Sequence, residues 1–205
     1  GAVSVLEAAR VLAKYAPPLP HTIRFVLWGI EEIGLFGSRE YVKTHADELS
    51  QIRFYLNMDS AGARSNNRDI VLNEWPELEP SLLRWRDEMA LDFAVAQSVS
   101  AFSDHFPFFM AGVPTGGMQS AERSLEGRGY GHTQFDTVDK VQQADLREAS
   151  ALAARLVLRL ASDERWPVAR RDEQVVLDLL DTPSYQVEQE FRGRLAEFYE
   201  QARSS

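Results

Sequence analysis

The sequence contains no cysteine, and this absence limits the chemistry that the chain can perform. Without cysteine, the chain can form neither a disulfide framework nor a metal site with thiolate ligands. Any metal ion would have to be held by histidine, aspartate and glutamate. The absence does not identify the cellular compartment.

Basic residues and long apolar runs are also scarce. The chain has 22 Lys and Arg residues against 31 Asp and Glu residues, which gives a net charge of -9. This balance disfavours non-specific binding to nucleic acid or to an anionic membrane. No apolar run approaches the roughly 20 residues that a membrane span requires. We therefore expect no nucleic-acid partner and no membrane span.

The chain begins at Gly1 instead of methionine, and a helical pattern follows almost at once. This leaves no room for a leader inside the chain. We expect a fragment of a longer protein whose amino-terminal part lies outside it. The compartment is unknown. A secreted or periplasmic location is compatible with the sequence, because a signal peptide could lie in the part that precedes this chain.

Apolar patterns predict one α/β core for these 205 residues, 44% of which are hydrophobic. Because predicted strands alternate with predicted helices, we expect a three-layer αβα sandwich with a mostly parallel or mixed central sheet. Strands are predicted at 22–29, 52–58, 69–73, 91–97 and 113–118, and helices at 5–13, 35–45, 80–91, 103–112 and 141–161.

The sequence predicts that residues 163–205 form a carboxyl-terminal extension made of a linker and a helix. Residues 163–171 are charged, contain a proline and indicate a linker. Beyond it, residues 175–180 form an apolar stripe, and the apolar residues that follow predict a helix at 185–203. The face of that helix would consist of Val187, Phe191, Leu195 and Phe198. Packing of this face on its own domain is favoured over a contact that forms a homo-oligomer.

Glu31 and Glu32 form the first cluster with possible chemistry. They follow the apolar run at 22–29, and the carboxyl ends of strands are where open α/β sheets bind ligands. One carboxylate can bind a metal ion while the other takes a proton from a metal-bound water. The alternative is that both only complement the dipole of the following helix.

Two later positions add further metal-binding groups. Asp59 leaves the run at 52–58 at its carboxyl end, and His132 follows a glycine-rich loop. A cysteine-free zinc site needs this mixture of Glu, Asp and His. Asp136 lies four residues after His132 and either orients its ring or caps a turn.

Three motifs, in this order, resemble the co-catalytic two-zinc aminopeptidase family, whose relatives include the glutamate carboxypeptidases and the glutaminyl cyclases. The resemblance covers residues 1–161, so that 1–162 would be the carboxyl-terminal part of a zinc peptidase catalytic domain and 163–205 a linker and helical extension. The motifs are Glu31-Glu32-Ile33-Gly34, Asn57-Met58-Asp59-Ser60-Ala61-Gly62 and His132-Thr133-Gln134-Phe135-Asp136-Thr137, with Ser103-Asp104-His105 as a further similarity.

The resemblance implies a role for each matching residue. Glu31 would be the general base, Glu32 and His132 ligands of one zinc, and Asp59 a ligand of the other. The family also has an earlier His and a bridging Asp, and neither occurs in this chain. Two zinc ions are thus expected in the full-length protein, and one or none in this chain.

Three further residues match the family less directly. Asp104 and His105 would support the pocket without binding the metal. A helix cap for Asp104 and a structural role for His105 are equally compatible with the sequence. In the family a tyrosine often precedes the last ligand. Here Gly131 occupies that place, and Tyr130 lies one residue earlier.

The function implied is a metal-dependent exopeptidase, aminopeptidase-like, that hydrolyses peptide substrates with a zinc-activated water. This fragment alone would be inactive or weakly active. One alternative is a glutaminyl cyclase-like transferase with a single zinc, which Asp59 disfavours. The other is a non-catalytic binding or ectodomain relative that has lost its metals.

Overall fold

The computed structural model describes residues 1–59, 68–120 and 131–204. Its centre is one mixed sheet with the strand order β1-β4-β2-β3. β1 is parallel to β4, β2 is parallel to β3, and β2 and β4 are antiparallel. The strands are β1 Tyr55–Asn57, β2 Arg68–Leu72, β3 Val95–Gln97 and β4 Thr115–Ser120.

Helices cover both faces of the sheet, which confirms the αβα prediction. Successive strand residues point to opposite faces. Leu56 accordingly packs into the core under α1, α3 and α5, whereas Tyr55 faces Phe108 of α4. None of the described helices is long and apolar enough to cross a membrane. The helices are α1 Ala2–Tyr15, α2 Phe36–Thr44, α3 Glu79–Glu88, α4 His105–Met110, α5 Gln143–Ser162, α6 Glu173–Leu180 and α7 Gln186–Ser204.

The predicted strand at 22–29 is wrong. Residues 22–28 have no regular secondary structure, and their backbone makes no hydrogen bond to other backbone groups of the described residues. An apolar run becomes a strand only where a neighbouring strand pairs with it. Phe25 and Leu27 remain exposed, while Trp28 packs beside Tyr41 and Phe108. Glu31 and Glu32 therefore follow an unpaired segment. The other predicted elements are present with shifted ends.

The carboxyl-terminal extension packs against the same domain. The N–H of Arg171 in the linker donates to the Gly112 carbonyl at 2.9 Å. Leu195 of α7 is buried, as predicted, and Phe191 is half-buried. Val187 is 59% exposed, so the prediction that it packs on the domain is wrong. Phe198 is 46% exposed but keeps an edge contact with Phe36, with the ring centroids 6.0 Å apart. Tyr199, which the apolar spacing passed over, adds a hydrogen bond to the Gly34 carbonyl.

Candidate metal and catalytic site

Glu31 and Glu32 lie in a tight loop, residues 29–36, which we call the glutamate loop. The N–H groups of Gly34 and Leu35 both donate to the Glu31 carbonyl at 3.0 Å. Ile30, Gly34 and Leu35 have φ angles of 60°, 126° and 59°. Glycine adopts such angles without cost, whereas isoleucine and leucine do so only where the surroundings hold them. The loop conformation is thus strained and depends on its neighbours.

Glu32 and His132 come together from distant parts of the sequence. Glu32 Oε2 lies 3.2 Å from His132 Nε2, and the two side chains are 71% and 84% exposed. A carboxylate oxygen and an imidazole nitrogen are both zinc ligands. The pair therefore fits two positions of one zinc site. In the described ranges, no group of three His, Asp or Glu side chains is placed to hold a metal ion.

Glu31 lies next to this pair and has an altered acidity. Its pKa rises from 4.5 to about 7, first because burial disfavours the charged form, and then because Asp59, Glu32 and Asp104 are negative. His132 acts in the opposite direction and lowers the pKa. A carboxyl group with a pKa near 7 is suited to exchange protons at neutral pH.

Asp59 is held by a relay of hydrogen bonds, which we call the Trp28–Asp59 relay. Ser103 Oγ, which is buried, donates to Asp59 Oδ2 at 2.7 Å. The same Oγ accepts a bond from Asn57 Nδ2 at 2.8 Å. Asn57 Oδ1 in turn accepts from the Tyr55 hydroxyl at 3.2 Å, and that hydroxyl accepts from Trp28 Nε1 at 2.8 Å. Every member has a partner, so the relay fixes the orientation of the Asp59 carboxylate.

Asp104 and His105 lie behind the site. Both are buried, and Asp104 makes no side-chain bond that would cap α4. Burial raises the pKa of Asp104, and the charge of Asp59 raises it further. Burial also lowers the pKa of His105 to about 4, so this ring is neutral at pH 7. The charge of Asp104 contributes to the raised pKa of Glu31, whereas the His105 ring is buried and neutral.

Asp136 is not brought into contact with the site. Asp136 is exposed, and its N–H closes a turn on the Thr133 carbonyl at 3.1 Å. Among the described residues its carboxylate makes no hydrogen bond to His132, so it does not orient that ring in this structure. Tyr130 and residues 60–62 of the Asp59 motif lie outside the described residues.

Sequence reasoning assigned no role to Ser103, Asn57 or Tyr55, although the relay depends on all three. Asn57 and Ser103 occupy fixed places in the motifs that gave the resemblance. A polar residue in such a motif that is neither a metal ligand nor the general base is expected to support one of those residues by a hydrogen bond. This expectation could have identified Asn57 and Ser103 from the sequence.

Comparisons with known proteins identify the family and the fold of this chain. A family model described as Peptidase family M28 matches residues 1–157. Leupeptin-inactivating enzyme 1 of Streptomyces exfoliatus is 33% identical over 121 residues, which cover 58% of this chain and 27% of that protein. The probable lipoprotein aminopeptidase LpqL of Mycobacterium tuberculosis is 29% identical over 199 residues, covering 82% and 39%.

A solved structure shares the fold. The structure of BSAP, a zinc aminopeptidase from Bacillus subtilis, superimposes with a TM-score of 0.66 at 25% identity, covering 79% of this chain and 41% of that one. The chain thus spans between about a quarter and two fifths of the length of these three proteins.

Proposed function

Because this chain belongs to peptidase family M28, we propose that it forms part of a metal-dependent exopeptidase of the aminopeptidase type. The names of its relatives support this class, since two of them are an aminopeptidase and a zinc aminopeptidase. The observation that carries the proposal is the Glu32–His132 pair, 3.2 Å apart, beside a Glu31 whose pKa is about 7. The substrate class is peptides with a free amino terminus.

Each residue has a distinct role in this proposal. Glu32 and His132 provide an oxygen and a nitrogen ligand for one zinc ion, and Asp59 provides an oxygen ligand for a second. Zinc, when bound, supplies a Lewis acid that polarises a carbonyl and makes water more acidic. Glu31 binds no metal, accepts a proton from the attacking water and returns it to the leaving amine.

The proposal for this chain alone is narrower. Two residues of the described part fit one zinc ion, and each catalytic zinc needs about three protein ligands. We therefore propose that residues 1–162 are the carboxyl-terminal part of a catalytic domain whose remaining ligands come from a longer natural protein. Alone, the chain would bind at most one ion, weakly, and be weakly active or inactive. The exposed Val187 and Phe198 leave an apolar area on α7 for a homo-oligomer contact.

The test compares two glutamate variants in a natural protein that carries this chain. Hydrolysis of aminoacyl p-nitroanilides is measured beside the N-acetylated anilides, which an aminopeptidase does not cleave. Glu31→Gln should lower kcat by about 10²- to 10⁴-fold and retain zinc, because it removes a base and no ligand. Glu32→Gln should lose zinc.

Equal zinc loss in both variants would refute the division of roles between the two glutamates. Cleavage of the N-acetylated anilides as fast as the free ones would contradict the aminopeptidase assignment. Cyclisation of amino-terminal glutamine without hydrolysis would favour the transferase alternative.

A further inference from the structure

Helix α7 lies directly on the glutamate loop, although it is outside the residues that match the family. The hydroxyl of Tyr199 donates a hydrogen bond to the carbonyl of Gly34. The ring of Tyr199 is itself held in place, because the Arg39 guanidinium lies 3.6 Å from its centre and the Phe36 ring 4.9 Å. Tyr199 is therefore a fixed contact and not a free surface side chain.

Two residues of the glutamate loop, Gly34 and Leu35, pack against α7. A Cβ atom added at Gly34 would lie 3.3 Å from the Tyr199 hydroxyl and 3.4 Å from Leu195 Cδ2, so a side chain here would push the Tyr199 hydroxyl away by a few tenths of an ångström. Leu35, with its positive φ, is buried against Leu195, Val176 and other apolar residues. Strained residues of this kind persist where packing over-determines them. The extension supplies much of that packing.

A second contact joins α7 to the other half of the site. The Phe191 ring lies 4.7 Å from the ring of Phe102. Phe102 directly precedes Ser103, which donates to Asp59. Helix α7 thus touches the segment that carries Glu31 and Glu32 and the segment that orients Asp59.

We propose that α7 is a positioning element of the site and that Tyr199 is its positioning residue for the glutamate loop. By holding the Gly34 carbonyl, the Tyr199 hydroxyl keeps Glu31 and Glu32 in place relative to Asp59 and His132. The claim that this placement matters for catalysis rests on the proposed function. The claim that Tyr199 holds the glutamate loop in place does not depend on the proposed function.

The test uses Tyr199→Phe in the full 205-residue chain, with Tyr185→Phe as the matched control. Tyr185 also belongs to the extension, and its hydroxyl donates to the carboxylate of Glu74, away from the glutamate loop. Both variants lose one hydroxyl that ties the extension to the domain. Amide hydrogen exchange is followed at residues 34–37, whose N–H groups all donate to carbonyl groups of the glutamate loop.

We expect exchange at these amides to become about 3- to 10-fold faster in Tyr199→Phe, the range for loss of one hydrogen bond. The same amides should be unchanged in Tyr185→Phe, and amides of α5 should be unchanged in both. Unchanged loop exchange in Tyr199→Phe would overturn the proposal. Equal acceleration in both variants would also overturn it, because the extension would then act only on global stability.

A second readout follows the ligands themselves. Zinc binding by the chain is titrated, and we expect Tyr199→Phe to weaken it about 3- to 10-fold while Tyr185→Phe leaves it unchanged. Equal zinc affinities of Tyr199→Phe and the wild type would overturn the claim that Glu32 is positioned. If the wild type binds no zinc, the ligand assignment under the proposed function fails, and the exchange comparison still decides the positioning claim.

Discussion

The two sides of the candidate site are built in different ways. Asp59 is oriented by buried Ser103 at the end of a relay in which each polar group has a partner. Glu32 and His132 meet at the surface with one contact between two exposed side chains. Asp59 is itself exposed, but the other members of the relay are half-buried or buried. Exposed ion pairs contribute little stability, whereas a hydrogen-bond network that is partly buried restricts the geometry of its members. Folding therefore orients the Asp59 side, and under the proposed function we expect the Glu32–His132 side to become rigid only when an ion binds.

The largest effect that would distinguish the two sides is expected for Ser103→Ala. This change removes the donor to Asp59 and leaves Asn57 Nδ2 without its acceptor. We expect the free energy of unfolding to fall by about 1–3 kcal/mol. In the protein with its full ligand set, we also expect metal affinity to fall about 10- to 100-fold.

The matched control is Ser150→Ala, a buried serine in α5 that donates to the Leu146 carbonyl at 2.6 Å. It should lower stability without changing metal affinity. Equal effects of both variants on metal affinity, measured by chelator competition, would contradict the role of the relay.

The second prediction concerns the pH dependence of stability. The pKa of Glu31 is raised from 4.5 in its ordinary state to about 7 in the folded chain. The folded state thus binds this proton more tightly than the unfolded state does. Stability from this group is fully present below about pH 4.5 and is lost as the pH rises to about 7. Wild-type stability relative to Glu31→Gln should therefore fall across this window.

Urea unfolding of both proteins at several pH values between about 4 and 8 measures this difference. If the difference in free energy of unfolding between the wild type and Glu31→Gln does not change with pH, the pKa of Glu31 is not raised. If the wild type gains stability relative to Glu31→Gln as the pH rises, the pKa of Glu31 is lowered on folding instead of raised. Asp104 shifts in the same direction and is present in both proteins, so the shift that burial causes cancels, and only its interaction with Glu31 enters the difference.

The smallest effect on folding is expected for His132→Ala. The side chain is 84% exposed, and alanine keeps the backbone restriction at a φ of 62°. We expect the free energy of unfolding to change by less than about 0.5 kcal/mol. Thermal unfolding beside Ser103→Ala checks this. A loss as large as that of Ser103→Ala would remove the distinction between the two sides.

The sequence predicted the layers better than the contacts that shape the site. Periodicity located α5 and the short strands because amphipathic patterns directly reflect which side of an element is buried. The same reasoning placed a strand at 22–29, because an apolar run does not show whether a neighbouring strand is present to pair with it. It also passed over Tyr199, since a spacing rule does not show that a hydroxyl meets a carbonyl.

The motif resemblance singled out Glu31, Glu32, Asp59 and His132, but not the contacts that support them. The structure places Glu32 and His132 3.2 Å apart, and the charges of Asp59, Glu32 and His132 act on the acidity of Glu31. The resemblance did not reveal the left-handed angles at Ile30 and Leu35, which depend on tertiary packing. Among the described residues the Asp136 carboxylate makes no hydrogen bond to His132, since spacing along the chain does not fix the direction of a side chain in an exposed loop.

The central claim is that Glu32 and His132 hold metal while Glu31 does not. Zinc titration of this chain by calorimetry, with Glu31→Gln, Glu32→Gln and His132→Ala measured beside the wild type, tests it most directly. We predict one weak site in the wild type that Glu31→Gln retains and the other two variants lose. Binding that survives in both Glu32→Gln and His132→Ala, or that disappears equally in Glu31→Gln, would contradict the account.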